Sequence, residues 1–285
     1  ALVAVAEAQA QALDLIGKAA DTQAGQKAVQ LELATKAIHA KEMIARKSSL
    51  VVLPDGASDG FHSLEFHDEA HFEDLGDLKS LLKEGGLPVN SMNIRMGPSF
   101  GCAAIPDRQH IARHDIREAA RLAQEIGAKA LHILSGFSEQ TPEAFETFVE
   151  NLEYALDHST LTIVIEPVCE EQLPGYFLRT LAQAGQVLDA INNPRLKIMF
   201  DCYHVFIQSG DLLKHFSRYV DKIGHIQIAA AEQRAEPFPG ALDYGVLLPQ
   251  FQALGYQGAF GCEYRPKSKT EAGLSWRDQF STLGG

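Results

Sequence analysis

Four strand-like runs in this chain end on a side chain able to hold a cation or move a proton. "LTIVIEP" carries Glu166, "LKIMFDCYH" carries Asp201, "GHIQIA" carries Gln227 and "GAFGCEY" carries Glu263. They stand 35, 26 and 36 residues apart (166 to 201, 201 to 227, 227 to 263). Each interval is one strand-plus-helix repeat, so four successive strands would bring these groups to equivalent heights at one end of a parallel sheet. Three carboxylates in a barrel mouth repel one another and have raised pKa values unless a cation joins them. Oxygen donors with one amide and no thiolate suit one hard divalent ion, Mg2+ or Mn2+. Singly, each acid also reads as a helix N-cap or a loop charge, most strongly Asp201. Four in register favour the ion.

The elements that must position them alternate from about residue 60 onward. Strand candidates are "FHSLEF" (61–66), "PVNSMNIRM" (88–96), "KALHILSG" (129–136), "LTIVIEP" (161–167), "LKIMFDC" (196–202), "KIGHIQIA" (222–229) and "GAFGCEY" (258–264). They are nearly continuous apolar runs, as in sheets covered on both faces. Helical patterns lie between them. "DRQHIARHDIREAARLAQEIGAK" meets Gly127 at a C′ position. "TPEAFETFVENLEYALDHS" opens with Thr141 as N-cap, Pro142 at N1 and Glu143 in the first turn. Gly210 and Asp211 introduce "LLKHFSRYVDKIG". No strand is followed by GxGxxG, which weighs against a dinucleotide-binding sheet.

Length and pattern therefore predict an α/β (β/α)8 TIM barrel filling residues 1–285 as one domain, with regular βα repeats over 59–285. Residues 1–58 fit less well. They are Ala-rich and read as largely helical, and "SSLVVLP" (48–54) is too close to "FHSLEF" to hold a crossover helix between parallel strands. "ALVAVA" is the other candidate for the first strand. The helical stretch suits an oligomerisation arm, making a homo-oligomer an expectation.

Composition narrows the partners. At 46% hydrophobic and 22% charged the chain is globular, and its net charge of −12 disfavours nucleic acid. Cys102, Cys169, Cys202 and Cys262 lack CxxC spacing and read as buried small hydrophobes of a reducing compartment. No apolar run would span a bilayer, and the acidic residues in the N-terminal stretch make it a poor signal peptide. The expectation is a cytoplasmic protein with no membrane partner and a small-molecule substrate.

"IVIEPV…LPGYFL", "IMFDCYH", "GHIQIA…R.EP" and "GYQGAFGCEYRP" together resemble the hydroxypyruvate isomerase family, within the xylose-isomerase-like barrels that include sugar isomerases and ketose 3-epimerases. The resemblance spans roughly residues 60–280, is densest from 160 onward, and includes "LHILSG" and "CAAIPDRQ". It implies a (β/α)8 barrel with one divalent metal on Glu166, Asp201, Gln227 and Glu263, and Glu166 and Glu263 as the proton-transfer pair. Most ketose epimerases of the group have a histidine at the position of Gln227. The chain departs from the family at "RAEP" beyond Arg234, where the family has His-Glu-Pro, and at "GALDY", where Ala241 and Asp243 replace an acid and an amide. Arg265 replaces a lysine, and residues 1–60 do not resemble the family's first strand and helix.

The chemistry expected is an aldose–ketose isomerisation of a short hydroxy-oxo acid, such as hydroxypyruvate or tartronate semialdehyde. A proton moves between adjacent carbons through an enediolate, which needs a base, an acid and positive charge on the two oxygens. Glu166 and Glu263 serve as ligands and acid/base; which takes the first proton is open. His204 reads as a substrate hydrogen-bonder, and Arg234 as holding a substrate carboxylate or terminal hydroxyl. Glu65, His67 and His132 are further substrate-side candidates, each with a structural alternative. His67 and His71 would pair on a metal only on a helix. Trp276 and Phe280 read as packing residues. Competing readings are 3-epimerisation of a ketose or keto acid on the same two glutamates, a three-metal endonuclease, and a non-catalytic binding or scaffold barrel.

Overall fold

The computed structural model describes residues 49–52, 61–268 and 273–279. Seven parallel strands line up in chain order: β2 (Ser63–Phe66), β3 (Val89–Asn93), β4 (Ala130–His132), β5 (Thr162–Ile165), β6 (Leu196–Asp201), β7 (Ile223–Ile228) and β8 (Phe260–Cys262). β1 (Ser49–Val52) closes the barrel by pairing antiparallel with both β2 and β8. This resolves the spacing problem at "SSLVVLP": an antiparallel neighbour needs no crossover helix. The alternative first strand, "ALVAVA", lies outside the described residues, as does Phe280.

The helices are α1 (Leu75–Gly85), α2 (Gln109–Ile126), α3 (Pro142–His158), α4 (Leu181–Ile191), α5 (Cys202–Ser209), α6 (Leu212–Tyr219) and α7 (Tyr244–Ala253). Their ends follow local chemistry. The Thr141 side chain accepts from the N–H of Ala144 at 3.2 Å ahead of Pro142, and Gly127 ends α2 at φ 71°, a left-handed conformation cheap only for glycine. Asp211 caps α6 through the N–H of Lys214. No helix among the described residues is long and apolar enough to cross a membrane.

Alternation along the strands separates two cores. Leu64, Met92, Leu131, Ile163, Ile165, Ile198, Phe200, Ile226, Ile228 and Phe260 belong to the large cluster packed under the helices. The intervening positions turn inward, where only Ala130, Val164 and Met199 form a small apolar cluster of their own. Polar, buried side chains fill most other inward positions, among them Ser63, Glu65, Ser91, Asn93, His132, Asp201, His225 and Gln227. The strands that read as apolar throughout are thus apolar outward and mixed inward, and the mixed face builds the site.

Candidate active site

Register places the predicted quartet, with one adjustment. Asp201 pairs with Gln227, but Gln227 pairs with Gly261, two residues short of Glu263. Glu166 follows Ile165, whose partner Ile198 lies three residues short of Asp201. The four are therefore staggered along the sheet rather than level by register, as the tilt and shear of a closed barrel require.

Asp201 is the helix N-cap of one of its two readings, and its second oxygen turns toward the predicted site. Its Oδ1 caps α5, accepting from the N–H groups of Tyr203 at 2.7 Å and His204 at 3.3 Å. Its Oδ2 faces the site, 2.6 Å from Nη2 of Arg234 and 3.7 Å from Nε2 of His204. Glu166, Asp201 and His204 form an acidic and imidazole cluster whose candidate ligand atoms lie within 4.8 Å of one another. Glu263 joins through Arg234, whose Nη2 is also 2.9 Å from its Oε1. The buried guanidinium bridges two carboxylates, and Gln233 and Arg234 hold left-handed φ values of 58° and 56° to place it there.

The two glutamates are pushed in opposite directions. Burial, then the charges of Glu263 and Asp201, raise the Glu166 carboxyl well above the usual range. Burial also acts to raise Glu263, but Arg234 and His67 outweigh it and hold Glu263 well below that range. His67 stands 3.6 Å from Glu263 and is raised to about 9, Glu263 overcoming the opposing effect of burial. His71, the other half of the "HDEAH" pair, instead donates to the Asn93 carbonyl at 2.8 Å, so the two histidines do not converge.

His132 points into the mouth. Its Nδ1 lies 3.0 Å from Oδ1 of Asn93 and its Nε2 4.0 Å from Glu166, with burial lowering it to about 4. His204 receives the N–H of Cys169 on Nδ1 at 3.4 Å, so its ring proton sits on Nε2, which stands 3.5 Å from Glu166 Oε1 without a hydrogen bond to it. A protonated nitrogen is a hydrogen-bond donor and not a ligand, which sets His204 apart from the carboxylates beside it. Glu65 lies beneath Gln227 and accepts from its Nε2 at 3.2 Å. Burial acts to raise Glu65, and contact with His225 outweighs it, leaving it lowered. Trp276 is buried against Tyr264, donating to its hydroxyl at 3.3 Å.

A cavity of about 500 Å3 opens above these groups, lined by Glu65, His67, His132, Glu166, His204, Gln227, Arg234 and Glu263, with Met96, Phe100, Leu134, Val168, Leu173 and Tyr176 forming an apolar wall. The sequence reading passed over His225, Asn93 and this wall. For His225 a signal existed: it stands two residues before Gln227 and so shares its inward face.

Comparison with known proteins places the chain. The family model described as "Xylose isomerase-like TIM barrel" matches residues 54–280, which is most of the chain. It belongs to that family. Among curated relatives, the 2-oxo-tetronate isomerase of Cupriavidus necator is 35% identical over 233 residues, 77% of this chain and 88% of the relative. The hydroxypyruvate isomerase of Escherichia coli is 34% identical over 234 residues, 78% of this chain and 89% of the relative. Such matches make the chain a hydroxypyruvate isomerase-like enzyme. A crystal structure titled as an AP endonuclease, family 2, from Brucella melitensis has a TM-score of 0.74 at 32% identity, covering 77% of this chain and 88% of that one. A second family model, the C-terminal region of band 7, matches residues 14–61. β1 falls inside that match and outside the barrel match, in line with the unfamiliar first sixty residues.

Proposed function

We propose that this isomerase acts on a short hydroxy-oxo acid, moving a proton between adjacent carbons with Glu166 and Glu263, and that the site holds one divalent ion on Glu166, Asp201, Gln227 and Glu263. The observation that carries the reading is the opposed pair at one cavity: Glu166, raised by burial and by the charges of Glu263 and Asp201, and Glu263, lowered by Arg234 and His67 against burial. Two of the four donors stand open to a hard ion, since Oε1 of Glu166 and Oε1 of Gln227 are buried without hydrogen-bond partners among the described residues, while Asp201 and Glu263 meet Arg234, which an ion would have to displace. Such an ion would supply positive charge to the substrate oxygens.

The chain's own residues account for the rest. Glu263 is the base, and a base held this low is weak until its partner leaves. A substrate carboxylate that draws Arg234 away would return basicity to Glu263, coupling substrate charge to proton abstraction. Glu166 gives the proton to the neighbouring carbon or oxygen, and His204 donates Nε2–H to a substrate oxygen. The apolar side of the cavity, from Met96 and Phe100 to Leu173, suits a substrate whose polar groups gather at one end, as in a short hydroxy-oxo acid. Among the described residues Glu166, Asp201 and His204 have metal-ligand spacing, and the two carboxylates belong to the proposed quartet.

The test is exchange of the carbon-bound proton in D2O across two- to six-carbon hydroxy-aldehydes, hydroxy-ketones and their acids, with and without Mn2+. Hydroxypyruvate and tartronate semialdehyde are expected to exchange and interconvert. Exchange confined to C3 of a ketose, with inversion and no carbonyl migration, would point to an epimerase instead.

Proton release gives a second expectation. Because the pKa of Glu166 is raised, a proton competes with the ion at any pH below that raised value. Mn2+ affinity should climb with pH until that raised value is passed, with uptake releasing a proton below it. Calorimetry in two buffers of different ionisation enthalpy reads the number directly. Affinity flat with pH, and no proton released, would remove Glu166 from the ligand set.

A further inference from the structure

Gln227 is the member of the quartet whose ligand atom depends on which way an amide is turned. We propose that Glu65, held in place by His225, is a positioning residue that turns the Gln227 amide so that Oε1 faces the ion; this rests on the ion reading above.

Glu65 on β2 is buried at 2% exposure inside the barrel. Its Oε1 accepts from Nδ2 of Asn90 at 3.0 Å and from Oγ of Ser91 at 3.2 Å, and it also meets Nε2 of His225. Its Oε2 accepts from Nε2 of Gln227. Asn90 Nδ2 also lies 3.3 Å from Nδ1 of His225; with the amide donating there, the imidazole proton stands on Nε2, the nitrogen in contact with Glu65 though not aligned for a hydrogen bond. A carboxylate surrounded by donors only accepts, so it admits the NH2 end of Gln227 and rejects the oxygen. Oε1 is thereby turned away from Glu65, and it is buried with no hydrogen-bond partner among the described residues.

The neighbouring strand leaves room for this pair. A Cβ on Gly261 would stand 2.6 Å from Oε2 of Glu65 and 2.7 Å from Nε2 of His225, closer than any side chain tolerates. The glycine of "GCEY" is therefore required by the carboxylate–imidazole contact and not by its own backbone angles. His225 and Gln227, two apart on β7, grip the same carboxylate from one face.

Mn2+ affinity, read from the EPR signal of the free ion, tests the proposal without turnover. Glu65→Gln keeps the volume but no longer dictates which end of Gln227 it meets, and affinity is expected to fall about 10–100-fold with an unchanged circular dichroism spectrum. Reversing the pair, E65Q with Q227E, restores donor to acceptor and should bind within about threefold of the parent, a rescue that a merely structural Glu65 would not show. Parent-like affinity in Glu65→Gln overturns the proposal, and so does a double variant no tighter than the single one. If Glu65→Gln does not fold, Gln227→Glu decides. It adds a charge to the quartet, yet facing Glu65 it should bind more weakly, and tighter binding overturns the proposal. A parent that takes up no Mn2+, or uptake that survives Glu166→Gln, sinks the ion reading itself, a failure distinct from any shown by the Glu65 variants.

Discussion

Glu166→Gln is expected to lose about 10³-fold or more in turnover and yet to melt higher than the parent in EDTA. The two effects have one cause. The carboxyl is buried beside Asp201 and Glu263, and its raised pKa is a measure of how poorly the fold tolerates its charge. The sign follows from linkage. A group whose folded pKa is raised gives its full stability below the unfolded value of 4.5 and loses it as pH rises through the folded value. At neutral pH and above, the ion-free parent therefore carries a penalty that an amide does not. The amide also fits its neighbours: its oxygen can accept from Nε2 of His204, and its NH2 can face the bare Nε2 of His132.

The gain in midpoint should be on the order of 5 °C and should widen as pH rises. Saturating Mn2+ reverses the order, because binding to the native state stabilises the parent and not a variant stripped of a ligand. Thermal melts of both proteins, with EDTA and with Mn2+, across pH 5 to pH 8.5 would show the crossing. Melting curves that never cross would mean that Glu166 is neither strained nor a ligand.

How much of this site was legible from residues alone depends on which force placed each group. The strand ends were legible because a buried apolar run stopping at an acid is costly, and a costly arrangement needs a reason. The caps of α2 and α3 were legible because glycine at φ 71° and threonine ahead of proline are local chemistry. The direction of β1 was not, since "SLVV" has the same composition in either orientation and only its partners decide. The interior polar layer was hidden for a related reason. A strand such as "VNSMN" reads as one run, yet the parity of each residue decides whether it faces helix or barrel. Arg234 was visible as a charge, but its seat between Asp201 and Glu263 depends on two consecutive left-handed residues that no spacing rule announces.

Glu263→Gln tests the other half of the opposed pair, with the opposite sign in stability. Turnover is again expected to drop about 10³-fold or more, because an amide cannot take a proton from carbon. Here, however, the charge is wanted by the fold. Arg234 is buried against Asp201 and Glu263, and His67 is raised to about 9 chiefly by Glu263 working against burial. Neutralising Glu263 leaves the guanidinium with Asp201 alone among the contacts at hydrogen-bond distance. A cost of about 1–3 kcal/mol follows, below the range for a fully buried pair because the Glu263 side chain is a fifth exposed. The cost has a pH signature. Glu263 has a lowered folded pKa, so its contribution is present above 4.5 and is lost as pH falls below that value. His67 adds a second edge: its stabilisation is full below 6.5 and fades as pH rises through about 9. The parent's advantage over Glu263→Gln in denaturant midpoint should therefore be largest between about pH 4.5 and pH 6.5 and shrink on both sides. Paired denaturation curves at pH 3.5, 6 and 9.5 measure it, and an advantage constant across all three would separate Glu263 from both cations.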